Sequence, residues 1–221
     1  MTPPRAILFD MDETLVNTRL LWQDAERALF NRFGRIWSEE LAASYKGRNV
    51  ADVATIIHDL CGAPGDAGQV HRVFRNFLFE AFEAGPIAEM PGAIACVRSL
   101  APDYPLAVAS GSPLPLIELA LKRMGVRQNF SVLVSSESVA RGKPKPDVFL
   151  AAAEALDLPP ESCVVVEDSL AGARAARAAG MTCLVVPSVY SDQMPEICAG
   201  VFSDLFSVER VLKSGELWKF N

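Results

Sequence analysis

With 221 residues, half of them hydrophobic, and a formal charge of −6 from 21 basic and 27 acidic side chains, the chain can bury one large core or a core with an insert. That balance excludes nucleic acid as a general partner, because phosphate backbones are bound by basic surfaces, yet it leaves room for a small anionic ligand held by a local cluster of positive charge. No apolar run approaches the roughly 20 residues that span a bilayer, and "MTPPRAILFD" carries no signal-peptide pattern. No membrane partner is therefore expected, and the five cysteines, none in a C-x-x-C pair, read as reduced thiols of a cytoplasmic protein.

The first predicted element is the strand "AILFD" at Ala6, which runs straight into Asp10, Asp12 and Glu13. From Leu15 to Glu89 no strand is evident. There "LLWQDAERALFNRFG", "NVADVATIIHDLCG" and "QVHRVFRNFLFEAFEAG" show helical spacing, and each closes on a glycine. A strand "LAVAS" follows at Leu106. The helix "SPLPLIELALKRMG" comes next, with Ser112 as cap, Pro113 at the first position and Gly125 as stop. Strands "SVLVSS" at Ser131 and "CVVVED" at Cys163 precede the helix "SLAGARAARAAG", capped by Ser169 and stopped by Gly180, and "CLVVP" at Cys183 is the last strand. These runs are apolar without alternation, as strands covered on both faces are. Strand and helix in turn predict an α/β fold with a parallel, doubly wound sheet. Residues 1–14 and 91–221 would form the sheet core, and residues 15–90 a helical cap inserted after the first strand.

Ligands of open parallel sheets bind beyond the carboxyl ends of the strands, so the residues there are the candidates for chemistry. Asp10 and Asp12 end the first strand, Ser110-Gly111-Ser112 the second, and Glu167-Asp168 the fourth; Lys143 lies in "RGKPKPD" after the third. Two carboxylates two apart in extended chain point the same way, so one can attack while the other handles a proton. Four acids together are costly unless a cation joins them, and an all-oxygen donor set suits Mg²⁺. Lys143, the Ser110 hydroxyl and the backbone N–H groups of "SGS" add a cradle for a phosphoryl group. The chemistry that fits is transfer to a carboxylate, giving an aspartyl-phosphate that water cleaves. Asp147, at a predicted helix start, complements the helix dipole.

Together, and in this order, "DMDETLV", "ASGS", "GKPKPD" and "VVVEDSLAGARAARAAGM" resemble the motifs of the haloacid dehalogenase superfamily of phosphotransferases. The resemblance implies a Rossmann-like parallel sheet core with an inserted all-helical cap. It implies Asp10 as nucleophile and Asp12 as general acid and base, with Ser110, Gly111 and Lys143 holding the phosphate. Mg²⁺ would be bound by Asp10, the backbone carbonyl of Asp12, and Asp168, with Glu167 in or near its shell. Glu13 stands where the family commonly has Gly, either exposed at the hinge or crowding the turn. "YKGRN" resembles the loop that reaches over the site in capped relatives, making Lys46, Arg48 and Asn49 candidates for substrate contact; Thr18 and Trp22 are candidates at the start of the cap.

The implied activity is a Mg²⁺-dependent phosphatase acting on a small phosphorylated metabolite, a sugar or polyol phosphate. A β-phosphoglucomutase-like mutase is the alternative. Mutases usually place a His where Trp22 falls and a Lys later in the cap, and "QVHRVFRNFLFEAFEAG" has no Lys. Asp12 disfavours dehalogenation, which needs no proton donor there. A phospho-receiver domain is the remote alternative, with its acids on other strands and no insert. The chemistry needs neither His58 nor His71, and the pattern sets no oligomeric state.

Overall fold

The computed structural model describes residues 3–45 and 48–215, so Lys46 lies outside the described residues. In chain order the elements are β1 (Ala6–Phe9), β2 (Val16–Asn17), α1 (Arg19–Arg32), α2 (Glu39–Ala43), α3 (Val50–Cys61), α4 (Ala67–Ala84), β3 (Ala88–Glu89), α5 (Ala93–Leu100), β4 (Leu106–Ser110), α6 (Leu114–Arg123), β5 (Val132–Ser135), α7 (Asp147–Ala155), β6 (Cys163–Glu167), α8 (Leu170–Ala178), β7 (Thr182–Val185), α9 (Met194–Ile197), β8 (Gly200–Val201) and α10 (Leu205–Ser214). The expected α/β class holds. Six parallel strands form one sheet in the order β5-β4-β1-β6-β7-β8.

The period of two along each central strand divides the core. Ile7, Phe9, Leu106, Val108, Val164 and Val166 face one side, with α5, α6 and α10. Ala6, Leu8, Ala107, Ala109, Cys163 and Val165 face the other, against α7 and α8. This second face is rich in alanine, and small side chains let Ala173, Ala175 and Ala176 of α8 approach the strands closely. With both faces covered, every residue of β1, β4 and β6 is buried, which explains their unbroken apolar runs.

Between β2 and β3 the chain forms α1 to α4. Buried residues Leu21, Ala25 and Leu29 make a stripe along α1, and Val70, Phe74, Leu78 and Phe82 make one along α4; these stripes pack α4 against α1 and α3. Asn49 and Asp66 accept from the backbone at the starts of α3 and α4, and Gly62, at φ 58°, ends α3 in the left-handed conformation. The expectation of no strand between Leu15 and Glu89 is corrected: β2 and β3 pair antiparallel, Val16 with Glu89 and Asn17 with Ala88. Two-residue strands leave no periodicity to read, so the outgoing and returning chains are tied where sequence shows only a hinge. β8, equally short, was also invisible to the pattern. No helix of the described residues is long and apolar enough to cross a membrane, and all five cysteines are free.

Glu13 has a defined place. Its backbone sits at φ 61°, where a non-glycine residue costs about 1–2 kcal/mol. Its Oε1 accepts from the N–H groups of Thr18 and Arg19, both at 2.9 Å, and its Oε2 pairs with Arg19 Nε at 3.3 Å. Thr18 precedes α1 but gives that helix no side-chain cap. Glu13 thus supplies the capping oxygen from five residues upstream and offsets its own strain. Glu13→Ala and Glu13→Gly both lose this cap, but only glycine relieves the strain. Urea unfolding is expected to place the alanine variant about 1 kcal/mol below the glycine variant, with both below the parent.

Candidate active site

Because β1 lies between β4 and β6, the carboxyl ends of three strands stand side by side, with Phe9 in register with Val108 on one side and Val166 on the other. The chain winds from β1 towards β4 and β5, then returns to β6 on the opposite side, so β1 is the switch point of the sheet. Asp10 follows β1 directly, its N–H bonded to Val166 O at 2.9 Å.

Lys143 reaches into this edge. Its Nζ donates to Asp10 Oδ1 at 2.6 Å and Glu167 Oε1 at 2.7 Å, above the Phe149 ring, and the residue is only 3% exposed. Burial, the largest influence, would push its pKa down. Asp10 and Glu167 together outweigh it and hold the ammonium above the ordinary lysine range. Burial pushes Asp10 up to about 7, opposed by Lys143 and reinforced by Glu167 and Asp12.

Glu167 is held on both oxygens. Its Oε2 accepts from Asp168 N, Ser169 N and Ser169 Oγ at 2.8–2.9 Å, at the start of α8. A methyl group on Gly172 would stand 1.7 Å from Glu167 Oε1, so the glycine in "SLAG" makes room for this carboxylate. Asp168 accepts from the Ser188 hydroxyl. Oxygens of Asp10, Glu167 and Asp168 all lie within 4.8 Å of one another. Three buried carboxylates with one ammonium among them leave a negative excess, and the donors are all oxygens. The set therefore fits a hard divalent cation.

The Asp12 carboxylate stands apart from that group. Its Oδ1 accepts from Thr18 Oγ1 and Trp22 Nε1, both at 2.9 Å; its Oδ2 accepts from Ser110 Oγ at 3.1 Å and Ser112 Oγ at 2.8 Å. Ser112 is therefore corrected: it does not cap α6, whose N-cap is Pro113, but bonds Asp12. Thr18 and Trp22, expected to face substrate, line the cavity but give their polar atoms to Asp12.

The loop before α3 lies on the sheet edge. A methyl on Gly111 would stand 3.0 Å from Arg48 O, and one on Gly142 would stand 2.1 Å from Asn49 Nδ2. Asn49, expected at the substrate, accepts from the N–H of Asp52 on its Oδ1 as the cap of α3. Arg48 lines the cavity. On another side of the insert, Arg75 of α4 pairs with Glu137 beyond β5 at 3.2 Å.

A cavity of about 270 Å³ connects these parts. Asp10, Asp12, Lys143, Asp168 and Gly111 line its sheet end, and Glu26, Trp37 and Tyr45 line it from the insert. Sequence reasoning missed those last three. One signal was available: Trp22, Glu26 and Phe30 are four apart on α1, so Glu26 is an acid inside an apolar stripe.

A family model described as haloacid dehalogenase-like hydrolase matches residues 4–180. Among curated proteins, the chain is 35% identical to a bifunctional riboflavin kinase/FMN phosphatase of Arabidopsis thaliana, covering 83% of this chain and 48% of that protein, so it spans about half that relative's length. It is 31% identical to the fructose-1-phosphate phosphatase YqaB of Escherichia coli, covering 79% and 92%. Among solved structures, CbbY of Rhodobacter sphaeroides in complex with phosphate superimposes with a TM-score of 0.77 at 30% identity, covering 91% of this chain and 95% of that one.

Two outcomes are expected. With Asp10 raised from 3.8 to about 7, the folded chain without metal binds more protons than the unfolded chain between those values. Its Tm should fall as pH rises through that window, and Mg²⁺ should restore it at the upper end; thermal unfolding with and without Mg²⁺ measures both. Gly172→Ala, although favourable for helix propensity, should displace Glu167 and cut turnover by about a hundredfold with the far-UV circular dichroism unchanged.

Proposed function

Because this chain belongs to the haloacid dehalogenase-like hydrolases, we propose that it is a Mg²⁺-dependent phosphatase that hydrolyses a small sugar or polyol phosphate through an aspartyl-phosphate. The observation that carries this reading is the pairing of two carboxylates in different settings at one cavity: Asp10 on the Lys143 ammonium, and Asp12 among four neutral donors. The relative named as a fructose-1-phosphate phosphatase, covered nearly end to end, supports the substrate class.

Asp10 and Asp168, with Glu167 beside them and the Asp12 carbonyl as the resemblance implies, would hold Mg²⁺, which would neutralise charge on the phosphoryl group. Asp10 Oδ2 accepts no hydrogen bond from the described residues. That oxygen attacks phosphorus as the bond to the leaving alcohol breaks, and Asp12 gives the alcohol its proton. Asp12 then takes a proton from the water that attacks the acyl phosphate, releasing phosphate and restoring Asp10. Lys143 steadies the phosphoryl oxygens and Asp10 throughout, and Ser110 and the Gly111 backbone complete the cradle.

For Asp12 to reach the leaving oxygen, some of its four donors must give way. Thr18 and Trp22 both sit at the start of α1, so a shift of the insert releases both together. At the position where mutases usually carry a His, the indole of Trp22 donates a hydrogen bond but cannot take up a proton, which favours hydrolysis over mutase chemistry.

Phosphate release should require Mg²⁺ and stop on chelation, with no isomerised sugar phosphate among the products. Asp10→Asn should fold and show essentially no turnover. Asp12→Ala should slow turnover by about 10²–10⁴-fold. Ordinary turnover in Asp10→Asn would remove the nucleophile assignment.

A further inference from the structure

Helix α4 of the insert is fastened to the core at two places, and the two differ in strength. At its carboxyl end Arg123 of α6 donates to three backbone carbonyls, Phe82 O at 2.8 Å, Glu83 O at 2.7 Å and Gly85 O at 3.2 Å. Nearer its start, Arg75 meets Glu137 in the turn after β5. Arg75 Nη2 donates to Glu137 Oε2 at 3.4 Å, and its Nε stands 3.2 Å from Oε1. His71, one turn earlier on α4, places its Nε2 3.9 Å from the same Oε1. Three charge-assisted bonds to carbonyls make the Arg123 end a fixed point. The other end is a single carboxylate with longer contacts, and both side chains of its pair are partly exposed, so that end gives way first.

Both partners of the Arg75–Glu137 pair lead back to Asp12. On the core side, Glu137 N donates to Ser135 Oγ at 3.1 Å, Ser135 Oγ donates to Ser112 O at 2.7 Å, and Ser112 Oγ donates to Asp12 at 2.8 Å. On the insert side, Phe74, the neighbour of Arg75, packs edge-on against Trp22 with ring centroids 5.9 Å apart, and Trp22 Nε1 donates to Asp12 at 2.9 Å. The pair therefore closes a ring of contacts in which Asp12 is held from the core and from the insert at once. Neither Arg75 nor Glu137 is among the residues lining the cavity, so their effect on the reaction passes through Asp12.

We propose that Glu137 and Arg75 are positioning residues: their ion pair limits the movement of the insert, so that Thr18 and Trp22 withdraw from Asp12 without the carboxylate losing its aim at the leaving oxygen. This rests on the phosphatase reading and on Asp12 as its proton donor. Without the pair, α4 is held to the core by Arg123 alone, and the insert turns about that end. Asp12 then keeps Ser110 and Ser112 but loses the fixed wall on its other side, and a proton donor that is out of line is a poor one.

The test exploits the leaving group: p-nitrophenolate departs without a proton, whereas a sugar or polyol alcohol needs one from Asp12. Fructose 1-phosphate, glucitol 6-phosphate and p-nitrophenyl phosphate are compared by kcat/KM with Mg²⁺, which reads the steps up to the acyl phosphate. Glu137→Gln is expected to lower kcat/KM for the alkyl esters about fivefold, or about 1 kcal/mol, and for the aryl ester by less than about twofold. Arg75→Gln should do the same, and the double variant should lose no more than either single one, since both remove one interaction. A pair that is merely structural would lower Tm and leave the alkyl-to-aryl ratio unmoved; that result, or losses that multiply in the double variant, overturns the assignment of Glu137 and Arg75 alone. Release from the aryl ester only, in the parent, overturns the proton-donor role of Asp12 and this inference with it. Absence of Mg²⁺-dependent release from all three esters overturns the phosphatase reading itself.

Discussion

One ammonium among buried carboxylates governs the architecture of the site. Lys143 is 3% exposed and touches Asp10 and Glu167, while Asp168 adds a third acid within the same few ångströms. An unpaired buried charge is costly, and one lysine cannot neutralise three acids. The fold manages part of the remainder locally. Glu167 Oε2 takes two N–H groups at the start of α8, where the helix dipole also favours negative charge. Gly172 one turn later carries no side chain, and that absence lets the carboxylate lie there. The imbalance that persists is what a divalent cation would cancel, so the same excess that burdens the metal-free fold prepares the site for its ligand.

The attachment of the insert follows from the same short stretch. "DMDET" leaves the sheet through Asp10, whose side chain stays with the core, while Asp12 and Glu13 reach outwards to α1. Glu13 caps the helix and Asp12 holds its first turn, so α1 is tethered to the loop after β1 by hydrogen bonds rather than by apolar contact alone. A displacement of α1 would break two of the four hydrogen bonds to Asp12 together. The β2–β3 pair closes the loop from the other side by binding outgoing and returning chains together.

Much of this could be read from the residues, for physical reasons. Strands buried on both faces are unbroken apolar runs, and the acids, hydroxyl and lysine that follow them are out of place in such company. That made the sheet legible, and the meeting of Asp10, Asp12, Ser110, Lys143, Glu167 and Asp168 at one of its edges. What stayed hidden depended on contacts between distant segments. Ser112 reads locally as a helix cap, and only the approach of β4 to β1 turns it to Asp12. Thr18 and Trp22 were placed at the cleft, but their commitment to Asp12 needs the geometry of the turn at Glu13. Asn49 carries a cation-flanked loop signature, yet it caps α3. Tyr45 and Trp37 sit in irregular chain with no periodicity to interpret, and Glu26 needed its helical stripe to be read as a cavity wall.

Asp10 and Asp12 are separated by one residue and carry the same functional group, yet the chain gives them opposite environments. Asp10 is fully within the charged cluster, its proton affinity set by burial against Lys143 and by its acidic neighbours. Asp12 is partly buried and meets only neutral donors, two from the core and two from α1. A nucleophile must stay in place and keep a lone pair directed at the electrophile, which a fixed ammonium on its other oxygen enforces. The proposed proton carrier must exchange partners during the cycle, and its hydrogen bonds from hydroxyls and an indole, about 1.5–3 kcal/mol each to a charged acceptor, break at less cost than a buried ion pair would. In the proposed reaction two identical side chains would thereby differ in role through the mobility of what holds them, and two of the four donors to Asp12, Thr18 and Trp22, stand at the start of α1, which also lines the cavity.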